Sequence, residues 1–182
     1  MYVVTVVDNR QKALALGADG FHSKPVDRSW LLQQLQSASS HRCYSVLLVD
    51  DDRTSRYLLS ALLSNSNCRL SEAENATQGL RLACDLRPDL IILDLAMPDM
   101  SGFEVLDRLK GNPATSNIPV VIHTSKVLDE DDRVRLICAV GIIPKSTMST
   151  RDVASAMFSE AFHKAGLEFE IRTQQLPVGA ND

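Results

Sequence analysis

Long apolar runs are missing from this 182-residue chain. A membrane-spanning helix needs about 20 consecutive apolar residues, and no stretch approaches that, so no direct membrane contact is expected. Nothing at the start reads as a secretion signal, and a cytoplasmic setting is expected. The four cysteines, Cys43, Cys68, Cys84 and Cys138, are scattered without a CxxC pair. That pattern disfavours a zinc site or a disulfide framework and leads us to expect reduced, buried thiols. No glycine-rich loop follows the strand near residue 45, which weakens a nucleotide-binding reading. Positive charge is not in excess either: 19 Lys and Arg against 23 Asp and Glu give −4. A general nucleic-acid surface is therefore not expected.

What is present is an alternation of short aliphatic runs and amphipathic stretches. Runs at 45–50, 69–73, 90–94, 119–124 and 141–144 read as strands. Between them, apolar residues at helical spacing mark helices: Tyr57, Leu58, Ala61 and Leu62 in the first, then Ala76, Leu80, Ala83 and Cys84. Phe103, Leu106 and Leu109 mark the third, ended by Gly111-Asn112-Pro113, and a fourth begins near Asp131. The last has Ser149 as its expected N-cap and Val153, Met157, Phe158, Ala161 and Phe162 facing inward. Five βα units in succession predict an α/β fold, a doubly wound five-stranded parallel sheet over residues 44–166. The stretch 167–182 is polar and reads as a disordered tail, too short for a DNA-reading helical unit.

Residues 1–36 repeat the order of the last two βα units: strand 2–6, helix 9–16, strand 20–23, helix 27–36. Thr5 and Lys24 are spaced much as Thr124 and Lys145 are. Residues 37–43, serine-rich at first, read as a linker. Two strands and two helices cannot close a core alone. The fragment's apolar faces would dock on the rest of the chain or on a second copy, the latter giving a homodimer.

Acidic residues stand where the strands end. Asp50 and Asp51 follow Val46-Leu47-Leu48-Val49, and Asp94 follows Leu90-Ile91-Ile92-Leu93. Parallel strands bring these carboxylates to one sheet edge, where open α/β sheets place ligands. Three acids there repel one another unless a divalent cation lies between them. Taken singly, Asp50 would be a helix cap and Lys145 a surface lysine. Asp52 and Asp99 read as solvated turn residues without a role. Met97-Pro98 reads as loop structure, His123 as a residue turned to the opposite face from Thr124, and His163 as surface.

Asp50-Asp51-Asp52, the run Leu93-Asp94-Leu95-Ala96-Met97-Pro98-Asp99-Met100-Ser101-Gly102, Thr124 and Lys145 together resemble response-regulator receiver domains. The resemblance covers residues 44–167. The N-terminal stretch, with Gly17-Ala18-Asp19-Gly20-Phe21 and Lys24-Pro25, resembles the closing half of a second receiver, as in the tandem receivers of hybrid sensor histidine kinases. The resemblance implies a flavodoxin-like receiver fold and a phosphoacceptor of a two-component or phosphorelay system. It implies Asp94 as acceptor, with Mg2+ held by Asp50, Asp51, Asp94 and the carbonyl of Ala96. Thr124 and Lys145 would contact the phosphoryl group. The implied partner is a histidine kinase or a histidine phosphotransfer protein.

Several positions depart from that pattern. Ser146 follows Lys145 where a proline is usual, which leaves the amine's aim open. The usual aromatic three residues before the lysine is Ile142. Ala96 offers no side chain to hold a hydrolytic water. An aspartyl phosphatase would need a second acid at that position, so this reading is set aside. The remaining alternative is a pseudo-receiver, an interaction module that works without phosphorylation.

Overall fold

Unbroken aliphatic runs cannot leave either face in water, so they become strands covered on both sides. A computed structural model describes residues 2–5, 20–23, 43–64 and 66–168, and it shows this arrangement. The strands β3 (Tyr44–Val49), β4 (Cys68–Ala73), β5 (Leu90–Leu93), β6 (Val120–Thr124) and β7 (Gly141–Pro144) form one sheet. All its pairings are parallel, in the order β4-β3-β5-β6-β7. The strands β1 (Tyr2–Thr5) and β2 (Gly20–Ser23) pair in parallel as a sheet of their own. The expected helices at 9–16 and 27–36, most of the linker, Lys24 and nearly all of the tail lie outside the described residues.

The helices are α1 (Arg53–Leu63), α2 (Ala76–Leu86), α3 (Gly102–Gly111), α4 (Glu130–Arg135) and α5 (Arg151–Lys164). A short 3₁₀ turn, Lys145–Ser149, precedes α5. Asp52, Asn75, Ser101 and Asp129 cap the first four helices through side-chain oxygens, Asp129 in a reciprocal pair with Asp132. Alternate strand residues feed two cores. Val46, Leu48, Leu90 and Ile92 pack with Leu59, Phe158 and Phe162, while Leu47, Val49, Ile91 and Leu93 pack with Phe103, Leu106 and Leu109. No helix among the described residues is long and apolar enough to cross a membrane.

Three expectations about faces need correction. Helix α1 buries Ser55, Arg56, Leu59, Leu62 and Leu63, not the Tyr57-Leu58-Ala61 stripe; Tyr57 and Leu58 are exposed. The rotation is set by polar contacts at its first turn, which a hydrophobic count does not register. Helix α5 starts after Thr150, and the hydroxyl of Ser149 donates instead to the carbonyl of Ser146. Val153 on that helix is exposed while Phe158, Ala161 and Phe162 are buried as expected. The cysteines are free, but Cys43, Cys84 and Cys138 are exposed and Cys68 is only half-buried. A small side chain tolerates either environment, so its type carries little information about depth.

His123 is buried against Phe158, ring centroids 5.7 Å apart, and neither ring nitrogen has a hydrogen-bond partner among the described residues. Burial pulls its imidazole from 6.5 down to about 4; the charge of Lys145 adds to this, and Asp50 and Asp94 oppose it in part. The unfolded chain therefore binds a proton below pH 6.5 that the folded chain refuses until about pH 4. Stability from this group is complete above the first value and is lost as pH falls toward the second. Linkage gives a loss of about 2 kcal/mol between pH 7 and pH 5. Urea unfolding at both pH values is expected to show it. His123→Phe removes both unpaired nitrogens at similar size, and it is expected to flatten that part of the profile without lowering stability at pH 7.

Candidate functional site

Strand order reverses at β3. The chain steps to β4 on one side, then returns to β5 on the other, which opens a crevice beyond the carboxyl ends of β3 and β5. Asp50 and Asp51 leave β3 there and Asp94 leaves β5. One carboxylate oxygen from each lies within 4.8 Å of the others. Asp50 and Asp94 are buried, and Asp51 is exposed with no ion pair among the described residues. Such a set, hard oxygen donors of like charge with one open to solvent, fits a small divalent cation.

Lys145 answers the repulsion between the two buried acids. Its Nζ is 2.8 Å from Asp94 Oδ2 and 2.8 Å from Asp50 Oδ2. Burial by itself lowers this amine, but hydrogen bonds and charge from Asp50 and Asp94 together outweigh it and hold the amine above its usual value. The substitution at Ser146 therefore does not misdirect the lysine: Pro144 ends β7 and the 3₁₀ turn begins at Lys145 itself. Asp50 Oδ2 also accepts from Ser55 Oγ at 2.6 Å, and its Oδ1 accepts from the amide of Asp52 at 2.9 Å. Asp94 Oδ1 accepts from the amide of Leu95 at 2.7 Å.

Thr124 is buried at the end of β6, two residues beyond Ile122, the register partner of Leu93. Its hydroxyl accepts from the amide of Lys126 at 3.2 Å. The amine of Lys126 pairs with Asp132 at 2.7 Å and lies over the Phe103 ring. Ala96 is exposed in the loop after Asp94. The structure thus gathers Asp50, Asp51 and Asp94, with Lys145 touching Asp50 and Asp94 and Thr124 at the same sheet edge.

A receiver-domain family model, the response regulator receiver domain, matches residues 46–154. The chain belongs to the response regulator receiver family. Protein PilH of Pseudomonas aeruginosa is 37% identical over 86 residues, covering 47% of this chain and 71% of that protein. Several longer relatives are matched over 39% of their length or less. Among solved structures, the receiver domain of a LuxO repressor protein from Vibrio parahaemolyticus superposes with a TM-score of 0.60. It shares 28% identity over 70% of this chain and 95% of that one. The receiver domain of a histidine kinase from Syntrophus aciditrophicus gives 0.58 at 30% identity, over 75% of this chain and 98% of that one. The flavodoxin-like receiver fold follows from this likeness and from the sheet order.

Sequence reasoning gave no role to some residues that hold this site. Asp99 accepts from the amides of Ala76 and Thr77 at 3.2 and 3.1 Å, tying the loop after Asp94 to the start of α2. Slight burial raises its carboxyl, but those amides outweigh it and hold the group below its usual value. Asp52 caps α1 through Thr54, whose amide is the main reason its carboxyl is lowered. Ser55 and Arg56 went unmarked, although a basic side chain near a helix N-terminus opposes the helix dipole and so asks for a partner.

Gly102 is required by close approach: a Cβ there would lie 2.1 Å from the carbonyl oxygen of Asp94 and 2.6 Å from Leu95 Cα. Both are backbone atoms that cannot swing aside. Gly102→Ala is expected to cost about 3 kcal/mol by displacing the loop after Asp94, read as a lower denaturation midpoint. An unchanged midpoint would contradict the close packing of α3 on that loop.

Proposed function

We propose that this receiver takes a phosphoryl group onto Asp94 from a phosphohistidine of a histidine kinase or histidine phosphotransfer protein. The observation that carries the reading is the contact of one amine with both buried carboxylates, Lys145 at 2.8 Å from Asp94 and 2.8 Å from Asp50. A carboxylate oxygen of Asp94 attacks phosphorus, the bond to the donor imidazole nitrogen breaks, and that nitrogen keeps the bonding electrons. The product is an acyl phosphate on Asp94. The transition state is loose and anionic, so the site's contribution is alignment and charge neutralisation. Lys145 neutralises Asp94 before transfer and a phosphoryl oxygen after it. Thr124 exchanges its contact with the Lys126 amide for a phosphoryl oxygen, to which its hydroxyl donates.

The three carboxylates fit Mg2+, which when bound neutralises phosphoryl charge and orients the incoming group. Asp51 and Asp94 would hold it directly, with the Ala96 carbonyl, and Asp50 mainly through water. The exposed position of Asp51 leaves room for waters, which this ion keeps. Residues 1–36 carry no acceptor and no acidic pair, so that part of the chain is proposed to stay unphosphorylated and to dock on another surface, in this chain or a second copy.

Acetyl phosphate with magnesium is expected to add the mass of one phosphoryl group to the protein and none to Asp94→Asn. A folded protein that gains no mass would favour the pseudo-receiver reading, for which the aliphatic Ile142 speaks. Because Ala96 cannot hold a hydrolytic water, the phosphoaspartate is expected to outlast the minutes needed to remove acetyl phosphate and measure decay. Loss within seconds in magnesium buffer would contradict it. Asp51→Asn is expected to weaken magnesium binding at least about tenfold by calorimetry, with the fold retained, since Asp51 is exposed and has no ion pair among the described residues.

A further inference from the structure

Arg56 is the unusual cation of this domain: it lies in the first turns of α1, yet it is only 5% exposed. Its fork is filled from two sides. Nη1 donates to the carbonyl of Asp50 at 2.8 Å and to that of Asp51 at 3.2 Å. Nε donates to Glu72 Oε2 at 3.1 Å, and Nη2 to Glu74 Oε1 at 3.3 Å. Glu72 is held in turn by the Ser60 hydroxyl at 3.0 Å. The guanidinium thus joins the backbone of the acidic pair to the end of β4, through a planar group whose donors are fixed relative to one another.

We propose that Arg56 is a positioning residue for the metal carboxylates, acting through the carbonyls of Asp50 and Asp51 while Glu72 and Glu74 aim its fork. The inference rests on the reading of Asp50, Asp51 and Asp94 as a magnesium site. The Asp50 amide still donates to the carbonyl of Ala73 at 3.2 Å, whereas the carbonyls of Asp50 and Asp51 accept from Arg56. Fixing them fixes where the two Cα–Cβ bonds point. The Ser55 hydroxyl adds a direct hold on Asp50 Oδ2 at 2.6 Å from the same helix turn.

Charge and position predict opposite signs here, which makes the role testable. A positive group near a cation site repels the ion, so if Arg56 acted by charge alone, its removal would tighten magnesium binding. If it acts by holding the loop, its removal weakens binding. Calorimetric titration with magnesium, on the full chain and without phosphodonor, reads this directly. Arg56→Met is expected to weaken magnesium binding about tenfold, within the range for partners that orient ligands. Arg56→Lys, which keeps the charge but has no planar fork, is expected to stay weak.

Leu58→Ala, an exposed substitution on the same helix, serves as the control and is expected to leave magnesium binding unchanged. Where Arg56→Met fails to fold, Glu72→Gln with Glu74→Gln releases the fork and keeps the guanidinium; weaker magnesium binding is again expected. Tighter or unchanged binding in a folded Arg56→Met or in the Glu72/Glu74 pair overturns the proposal, as does full recovery by Arg56→Lys. Failure of the wild-type chain to bind magnesium at all would instead overturn the magnesium site on which it rests.

Discussion

Three carboxylates converge on one sheet edge, and the rest of the domain is arranged so that this convergence can be tolerated. Two of them are buried, where like charges interact most strongly and where desolvation is most costly. Lys145 spans both, at 2.8 Å from each. The third, Asp51, is left toward solvent. That division lowers the repulsion within the set while leaving one hard oxygen donor open to solvent. The lysine that spans the buried pair comes from the end of β7, on the far side of β6 from β5.

Around this charge arrangement, the loops are tied to one another. Asp99 fastens the loop after Asp94 to the start of α2, and Arg56 fastens the acidic loop to Glu72 and Glu74. Gly102 lets α3 press directly on the backbone of Asp94 and Leu95. Asp99 satisfies amides at a helix start and Arg56 satisfies carbonyls just past a strand, groups that regular secondary structure leaves over. Phosphoryl chemistry of this type asks for alignment more than for reactive groups. The proposed phosphoryl transfer would draw that alignment from loops pinned by hydrogen bonds.

The strands were legible because their aliphatic runs are continuous and short, and Gly141–Pro144 begins and ends where the pattern says. The helix faces were less so. Tyr57 and Leu58 look like core residues in a hydrophobic count, yet α1 turns Leu59, Leu62 and Leu63 inward. The reason is polar: Asp52 caps the helix while Ser55 and Arg56 bind the acidic loop, and these contacts set the helix's rotation. Asp99 looked like a solvated turn residue because its partners are amides 22 and 23 positions away. His123 was expected to turn away from Thr124, but nothing in its neighbours along the chain announced a ring with both nitrogens unpaired.

Order along the chain was enough to determine the fold class and the set of acids, threonine and lysine at strand ends, since side-chain period and strand burial are local properties of the chain. Only the folded molecule decided which of those groups touch, how far Asp51 stands in water, and that Arg56 is buried beneath the acidic pair. These depend on contacts between residues far apart in sequence, whose distances follow from helix rotation and loop closure and leave no periodic trace in the chain.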